Sequence, residues 1–442
     1  ALDPELLGKV FENLLASYNE ETKTTARKAL GAFYTPREIV EYMVDESLLA
    51  YFKVKLTDSS DAMDEKLRQL LAYNDEPHGF SDDEVNVLIT AIDHLKALDP
   101  AVGSGAFPMG MLHKLVHMLG KLDPGNEKWK QKQLAKMEDI ELREQAERAF
   151  RDNPADYGRK LYLIQNCIYG VDIQPVAVQI AKMRFFISLI VDQKSTADTK
   201  NNYGILALPN LETNFVAANT LIGIEKPQQQ VLRNPDIEKK ESELHRVRQQ
   251  HFTAKTPKTK AKYREKDEKL RTEIAILLKH EGWGDKTAEK LAQWNPYDQN
   301  ATSEFFDPEW MFGINDGFNI VLSNPPYIDS EMMVNSGQSD LRDYLSENYK
   351  YTRGNWDIYI AFFEKAFNLA KHQATISYIT PDKWLTKPFG EIFRTDTLKY
   401  LSVLLKSGRD IFESVGVDSI VTIFANESKS FAFKEYEDAN VV

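Results

Sequence analysis

Apolar positions recur along this chain with two alternating periods. Leu6, Leu7, Val10, Leu14 and Leu15 fall at helical spacing, with Asp3 placed to cap and Pro4 in the first turn, so residues 1–30 are expected to form a helical segment. The run Gly31-Ala-Phe-Tyr-Thr-Pro36 breaks it, and a second helix restarts through Ile39, Val40, Met43 and Val44. Residues 95–98 read as a short strand. It leads through a loop into a helix bearing Met111, Leu112, Leu115 and Leu119. A strand at 168–172 followed by a helix at 175–191 repeats the arrangement. Residues 214–217 are a weaker strand and 318–322 a strong one. A helix over 357–370 and strands at 374–379, 401–405 and 420–424 complete the pattern. Strands alternating with helices predict an α/β fold, a mainly parallel sheet with helices on both faces. Polar stretches at about 53–90, 121–160 and 225–290 interrupt the rhythm and are read as helical insertions.

Composition narrows the class. The 442 residues are 42% hydrophobic and 11% aromatic, which excludes a disordered chain. No apolar run approaches the length of a membrane span, and no cationic-then-apolar start resembles a signal peptide. A single cysteine, Cys167 in an apolar run, excludes a disulfide framework and a Cys-rich zinc module, and fits a reducing cytoplasm. The net charge of −12 argues against coating nucleic acid by bulk charge. Locally the sign reverses: between His251 and Arg271 eight Lys or Arg face three acids. That stretch is read as a solvated helical hairpin, with a basic arm on phosphates as the sharper alternative.

Three motifs carry candidate chemistry. Asp99-Pro-Ala-Val-Gly-Ser-Gly105 joins a strand to a helix, where glycines let the backbone turn tightly and the helix start offers free N–H groups. It lacks the Lys of a P-loop and the third Gly of the dinucleotide fingerprint. Tyr169-Gly-Val-Asp-Ile173 places an acid at the end of the next strand, suited to ribose hydroxyls, with an apolar neighbour suited to a purine. Ser323-Asn-Pro-Pro-Tyr327 follows the strong strand, where open α/β sheets hold their ligands. Asn-Pro-Pro-Tyr arises by chance about 0.003 times in a chain of this length. Two prolines fix the backbone, so the Asn324 side chain and the Pro325 carbonyl present two acceptors beside the Tyr327 ring. That set suits a planar amino group. Asn295-Pro-Tyr297 lacks the second proline and the strand, and is read as a turn. His113 and His117 are four apart, but no third ligand accompanies them, so no metal is expected.

These motifs resemble the DNA amino-methyltransferases that act on adenine, in the gamma-class order, over roughly residues 31–425. The resemblance implies a Rossmann-like methyltransferase fold with S-adenosylmethionine as cofactor. It implies that Tyr34, Thr35 and Pro36 close over the cofactor, and that Asp99, Ala101, Gly103 and Gly105 cradle its methionine part. Asp172 then matches the ribose-binding acid, Ile173 the residue packing on adenine, and Asn219, more loosely, a residue at the adenine edge. Asn324, Pro325, Pro326 and Tyr327 match the catalytic motif, and Phe412 an aromatic of the target-base pocket. The closest resemblance is to fused type IIG restriction–modification and BREX-type enzymes, with type I modification subunits second.

The same resemblance implies double-stranded DNA as partner. It also implies a target-recognition domain beyond residues 426–442, so the chain is expected to be a catalytic part of a longer polypeptide that reads DNA through other domains or subunits. The alternatives are methylation of protein glutamine or RNA guanine amino groups, and a non-catalytic cofactor-binding module.

Overall fold

The computed structural model describes residues 18–19, 24–25, 35–135, 155–193, 197–227, 234–408, 418–425, 432–437 and 440–441. Its centre is a nine-stranded sheet built from β1 (Ala97–Asp99), β2 (Ile168–Asp172), β3 (Phe215–Ala217), β4 (Phe318–Ser323), β5 (Ala370–Pro381), β6 (Leu401–Gly408), β7 (Ser419–Phe424), β8 (Ala432–Glu437) and β9 (Asn440–Val441). The order is β9-β8-β6-β7-β5-β4-β1-β2-β3. Strands β1 to β5 are mutually parallel, and β7 runs antiparallel between β5 and β6. This is the expected Rossmann-like sheet. The chain winds outward through β1, β2 and β3, then returns to place β4 on the other side of β1. Loops after β1 and β4 therefore diverge at a switch point, where doubly wound folds open a crevice.

Side-chain alternation divides the core. Ala97, Ile320 and Leu322 join one buried cluster, and Leu98 and Val321 the other. A register shift between Phe318 and Ile320 puts Phe318 on the same face as Val321. The first face is covered by α1 (Arg37–Leu56), α2 (Asp61–Leu71), α3 (Asp82–His94), α4 (Ala106–Leu122), α5 (Glu127–Ala135), α6 (Ala155–Asn166) and α7 (Pro175–Val191). The stretch 53–90 thus holds the end of α1, α2 and most of α3, and α3 begins in a capping box of Ser81 and Glu84. Helices α8 (Pro235–Phe252), α9 (Pro257–His280), α10 (Asp285–Gln293) and α11 (Tyr359–Leu369) contribute to the second face.

The basic stretch is a helical hairpin of α8 and α9. Ile237, Leu244, Val247, Leu270, Ile274 and Leu278 turn into the core. Buried Asp267 accepts from Arg248 Nε at 2.8 Å and Arg271 Nε at 2.7 Å, which locks the two helices together. Lys255, Lys258 and Lys262 are exposed around the turn. Asn210 Nδ2 donates to His251 O and Ala254 O, tying that turn to the loop that enters β3. These lysines therefore lie toward the sheet edge opposite the crevice. Tyr297 belongs to the expected turn: its N–H donates to Asn295 Oδ1, and its hydroxyl to Asp267.

One expectation needs correcting. Within residues 1–30 the helical reading fails at Tyr18–Asn19 and Thr24–Thr25, which pair as a short antiparallel ladder. The apolar spacing stops at Leu15. Beyond it the tyrosine and β-branched threonines favour extended backbone. The rest of that segment lies outside the described residues. Strand β5 also begins earlier than expected, at Ala370, directly after α11.

Candidate active site

The loops after β1, β2, β3 and β4 converge on one cavity of about 250 Å³. Of the residues singled out in the sequence, Thr35, Asp99, Ala101, Gly103, Asp172, Ile173, Asn219, Asn324 and Pro326 all line it. Pro325 and Tyr327 belong to the same tetrapeptide. Tyr34 and Phe412 lie outside the described residues.

Asp99 ends β1 and is 1% exposed. Its Oδ1 accepts from Ser323 Oγ at 2.6 Å and from the Ala101 N–H at 3.1 Å. Its Oδ2 is buried and has no hydrogen-bond partner among the described residues. Burial, with a smaller contribution from the Asp172 carboxylate, pushes its pKa up to about 7. Asp172 ends β2 and accepts from the Gly103 and Gln174 N–H groups, each at 2.8 Å. Burial raises its pKa too, against those two amide bonds. Ile173 follows with 51% of its surface exposed at the cavity wall, an unusual setting for an isoleucine.

The two loop glycines do different things. Gly103 has φ +50°, and a Cβ there would meet nothing within 4 Å, so it opens the cavity. Gly105 has φ +85° and a Cβ would lie 3.0 Å from Ala181 Cβ. It lets α4 pack closely on α7. Pro36 heads α1, and its carbonyl accepts from the Val40 N–H at 3.1 Å. Asn219 Oδ1 closes a local turn by accepting from the Leu221 N–H.

At the end of β4, Asn324 Nδ2 donates to Thr35 Oγ1 at 3.1 Å, and Tyr327 OH donates to Asn324 Oδ1 at 2.6 Å. The half-buried Tyr327 ring meets Tyr359 edge-on, with centroids 6.3 Å apart. Burial and the nearby Asp357 carboxylate hold the phenol well above its usual pKa, so it stays a neutral donor.

Sequence reading missed several residues of the site. Ser323 joins the first motif to the third through its bond to Asp99. Ile358 and Phe362, one turn apart at the start of α11, line the cavity with Ile328 and Leu341. Their four-residue spacing was the available signal, and it is equally the signal of an ordinary core helix.

Residues 166–405, just over half of the chain, match the Eco57I restriction-modification methylase family. The chain belongs to that family. The span matched by the methylase family includes Asp172, Asn219 and Asn324 to Tyr327, while Thr35 and the 99–105 loop precede it. A Methanocaldococcus jannaschii protein named as a type II restriction enzyme and methyltransferase is 31% identical over 232 residues, covering 50% of this chain and 17% of its own. Among solved structures, the type IIL restriction-modification enzyme MmeI in complex with DNA gives a TM-score of 0.49 at 12% identity, over 99% of this chain and 42% of that one. A DrdV–DNA complex gives 0.45 at 12%, over 99% and 30%. The chain spans less than half the length of each.

Restriction-modification methylases use S-adenosylmethionine, and the cavity fits it. Two buried carboxylates, one with an oxygen left unpartnered, suit a ligand that carries cationic ammonium and sulfonium groups. An exposed isoleucine at the wall suits a flat ring. Among the described residues no group of three His, Cys, Asp or Glu is placed to hold a metal. His117 Nε2 instead meets Ala72 O at 2.9 Å. No helix among them is long and apolar enough to cross a membrane.

Proposed function

We propose that this chain is the catalytic part of a DNA methyltransferase that modifies the 6-amino group of adenine in duplex DNA. What supports this is one juxtaposition: the Asn324-Pro-Pro-Tyr327 tetrapeptide stands at the carboxyl end of β4, on the same cavity as Asp99, Asp172 and Ile173. Asp99, with the 99–105 backbone, would face the methionine part of the cofactor. Asp172 would take the ribose, and Ile173 and Asn219 would border the adenine. S-adenosylmethionine supplies an electrophilic methyl group when bound.

The protein's part is to present the amine. A target base inside a duplex must be turned out of the stack. Asn324 Oδ1 and the Pro325 carbonyl then accept the two N–H bonds of its amino group. These acceptors localise the nitrogen lone pair and stabilise the positive charge that develops there, as preorganised dipoles. Oδ1 has two lone pairs, so the Tyr327 hydroxyl and an incoming N–H can share it. The methylated nitrogen is cationic and acidic, so its proton leaves without a strong base. Tyr327 would stack on the extruded base, with Phe412 beside it. Duplex DNA would be gripped through polypeptide or subunits outside residues 1–442, consistent with the net charge of −12. The single cysteine, buried at Cys167, fits action in the cytoplasm.

Labelled methyl transfer to duplex DNA, release factor and ribosomal RNA in parallel tests the substrate. Incorporation into DNA as N6-methyladenine is expected, and incorporation only into either of the others overturns the assignment. Asn324→Ala is expected to lower transfer by about a hundredfold or more while cofactor binding persists. An unchanged rate removes Asn324 from the catalytic role.

A further inference from the structure

The side-chain amide of Asn324 is held at both ends. Tyr327, three residues on, binds its oxygen. Thr35 binds its nitrogen from 289 residues away. Thr35 is 5% exposed, and it sits directly ahead of α1, whose Ile39, Val40, Met43 and Val44 are buried in the core. The Thr35 hydroxyl is therefore carried on rigid backbone. It also lines the cavity assigned above to the cofactor.

Building on the methyltransferase reading, we propose that Thr35 is a positioning residue for Asn324, so that the segment closing the cofactor cavity also sets the amide that receives the target amine. The Tyr327 hydroxyl by itself does not fix which way the amide faces. It lies 3.3 Å from Ile379 O as well, and a phenol that donates there can accept from an amide turned the other way. With Thr35 in place, both ends of the amide are anchored. With a valine there, Nδ2 loses the Thr35 acceptor and the amide is held less tightly. Transfer demands near-attack geometry, where a misplacement of about 1 Å costs up to about a hundredfold. A Thr35 that served only as cofactor wall would act on cofactor affinity instead.

The two roles separate by experiment in the full-length protein. Thr35→Val is expected to lower kcat at saturating S-adenosylmethionine by about tenfold or more, with the cofactor Kd within about threefold of wild type. Thr35→Ser keeps the hydroxyl and is expected to restore kcat to within about threefold. The measured Kd also reports that each variant is folded. A Thr35→Val enzyme with full kcat, a loss confined to Kd, or a Thr35→Ser enzyme as impaired as Thr35→Val each overturns the proposal. Asn324→Ala distinguishes this from failure of the functional reading. If that variant keeps its rate, the methyltransferase assignment of the motif fails. If it is inactive while Thr35→Val is unaffected, only the role of Thr35 fails.

Discussion

Replacing Asp99 with Asn tests the cofactor assignment through protons. Asp99 is buried, one oxygen is bonded to Ser323 and Ala101, and the other is buried without a partner among the described residues. Its pKa of about 7 means that, without cofactor, the carboxyl is about half protonated at neutral pH. A cation bound beside it favours the ionised form. Binding at pH 7 should therefore expel about half a proton. If only the ionised form binds, its share falls from about nine-tenths at pH 8 to about one-tenth at pH 6. The Kd then weakens about tenfold over that range. The assay is titration calorimetry with S-adenosylmethionine in buffers of different ionisation enthalpy, for wild type and Asp99→Asn. The α-amino group of the cofactor titrates at about 7.7–8.0, so the difference between the two proteins is the quantity to read. Asp99→Asn should remove the proton release and flatten the affinity profile. A pH dependence that survives intact in the variant, or a wild-type enthalpy indifferent to buffer, refutes the placement of a cofactor cation against Asp99.

Two further outcomes test the scaffold. A Cβ at Gly170 would lie 2.7 Å from Phe215 Cδ1 and 2.8 Å from Val102 Cγ2, so Gly170→Ala should cost about 1–3 kcal/mol in urea unfolding; an unshifted midpoint would show that the strand and loop pack more loosely than described. Removing Asp267 leaves Arg248 and Arg271 buried without their shared carboxylate, and Asp267→Ala should cost about 3–5 kcal/mol at pH 7. The two arginines hold the Asp267 pKa below its ordinary 3.8. Its stabilisation is therefore present above 3.8 and lost as pH falls through the lower native value. The gap between wild type and variant should narrow there, and a gap independent of pH would contradict the pairing.

Much of the site was legible because its residues sit where strands end. Asp99, Asp172 and Asn324 each close an apolar run, and in a parallel sheet all such ends lie on one edge. The spacing of 73 positions between Asp99 and Asp172 did not matter, since α5 and α6 lie within it and leave β1 and β2 paired. The packing demand at Gly105 was not legible: a Cβ there would lie 3.0 Å from that of Ala181, a residue 76 positions away. The late strands β8 and β9 escaped notice because residues 432–441 are charged and lie at the margin of the sheet, β8 beside β6 and β9 beside β8.

The sequence by itself determined the α/β alternation, the strand-end motifs and the chemistry of the Asn-Pro-Pro-Tyr tetrapeptide, because backbone period and proline stiffness are local. Tertiary structure alone decided which loops meet. Strand β4 returns to the flank of β1, which brings Ser323 to Asp99 and Asn324 to Thr35, contacts spanning 224 and 289 residues. Ile358 and Phe362 become cavity wall for the same reason. Whether an apolar helix face turns toward packed side chains or toward a crevice is settled by neighbours far along the chain, and no local period encodes it.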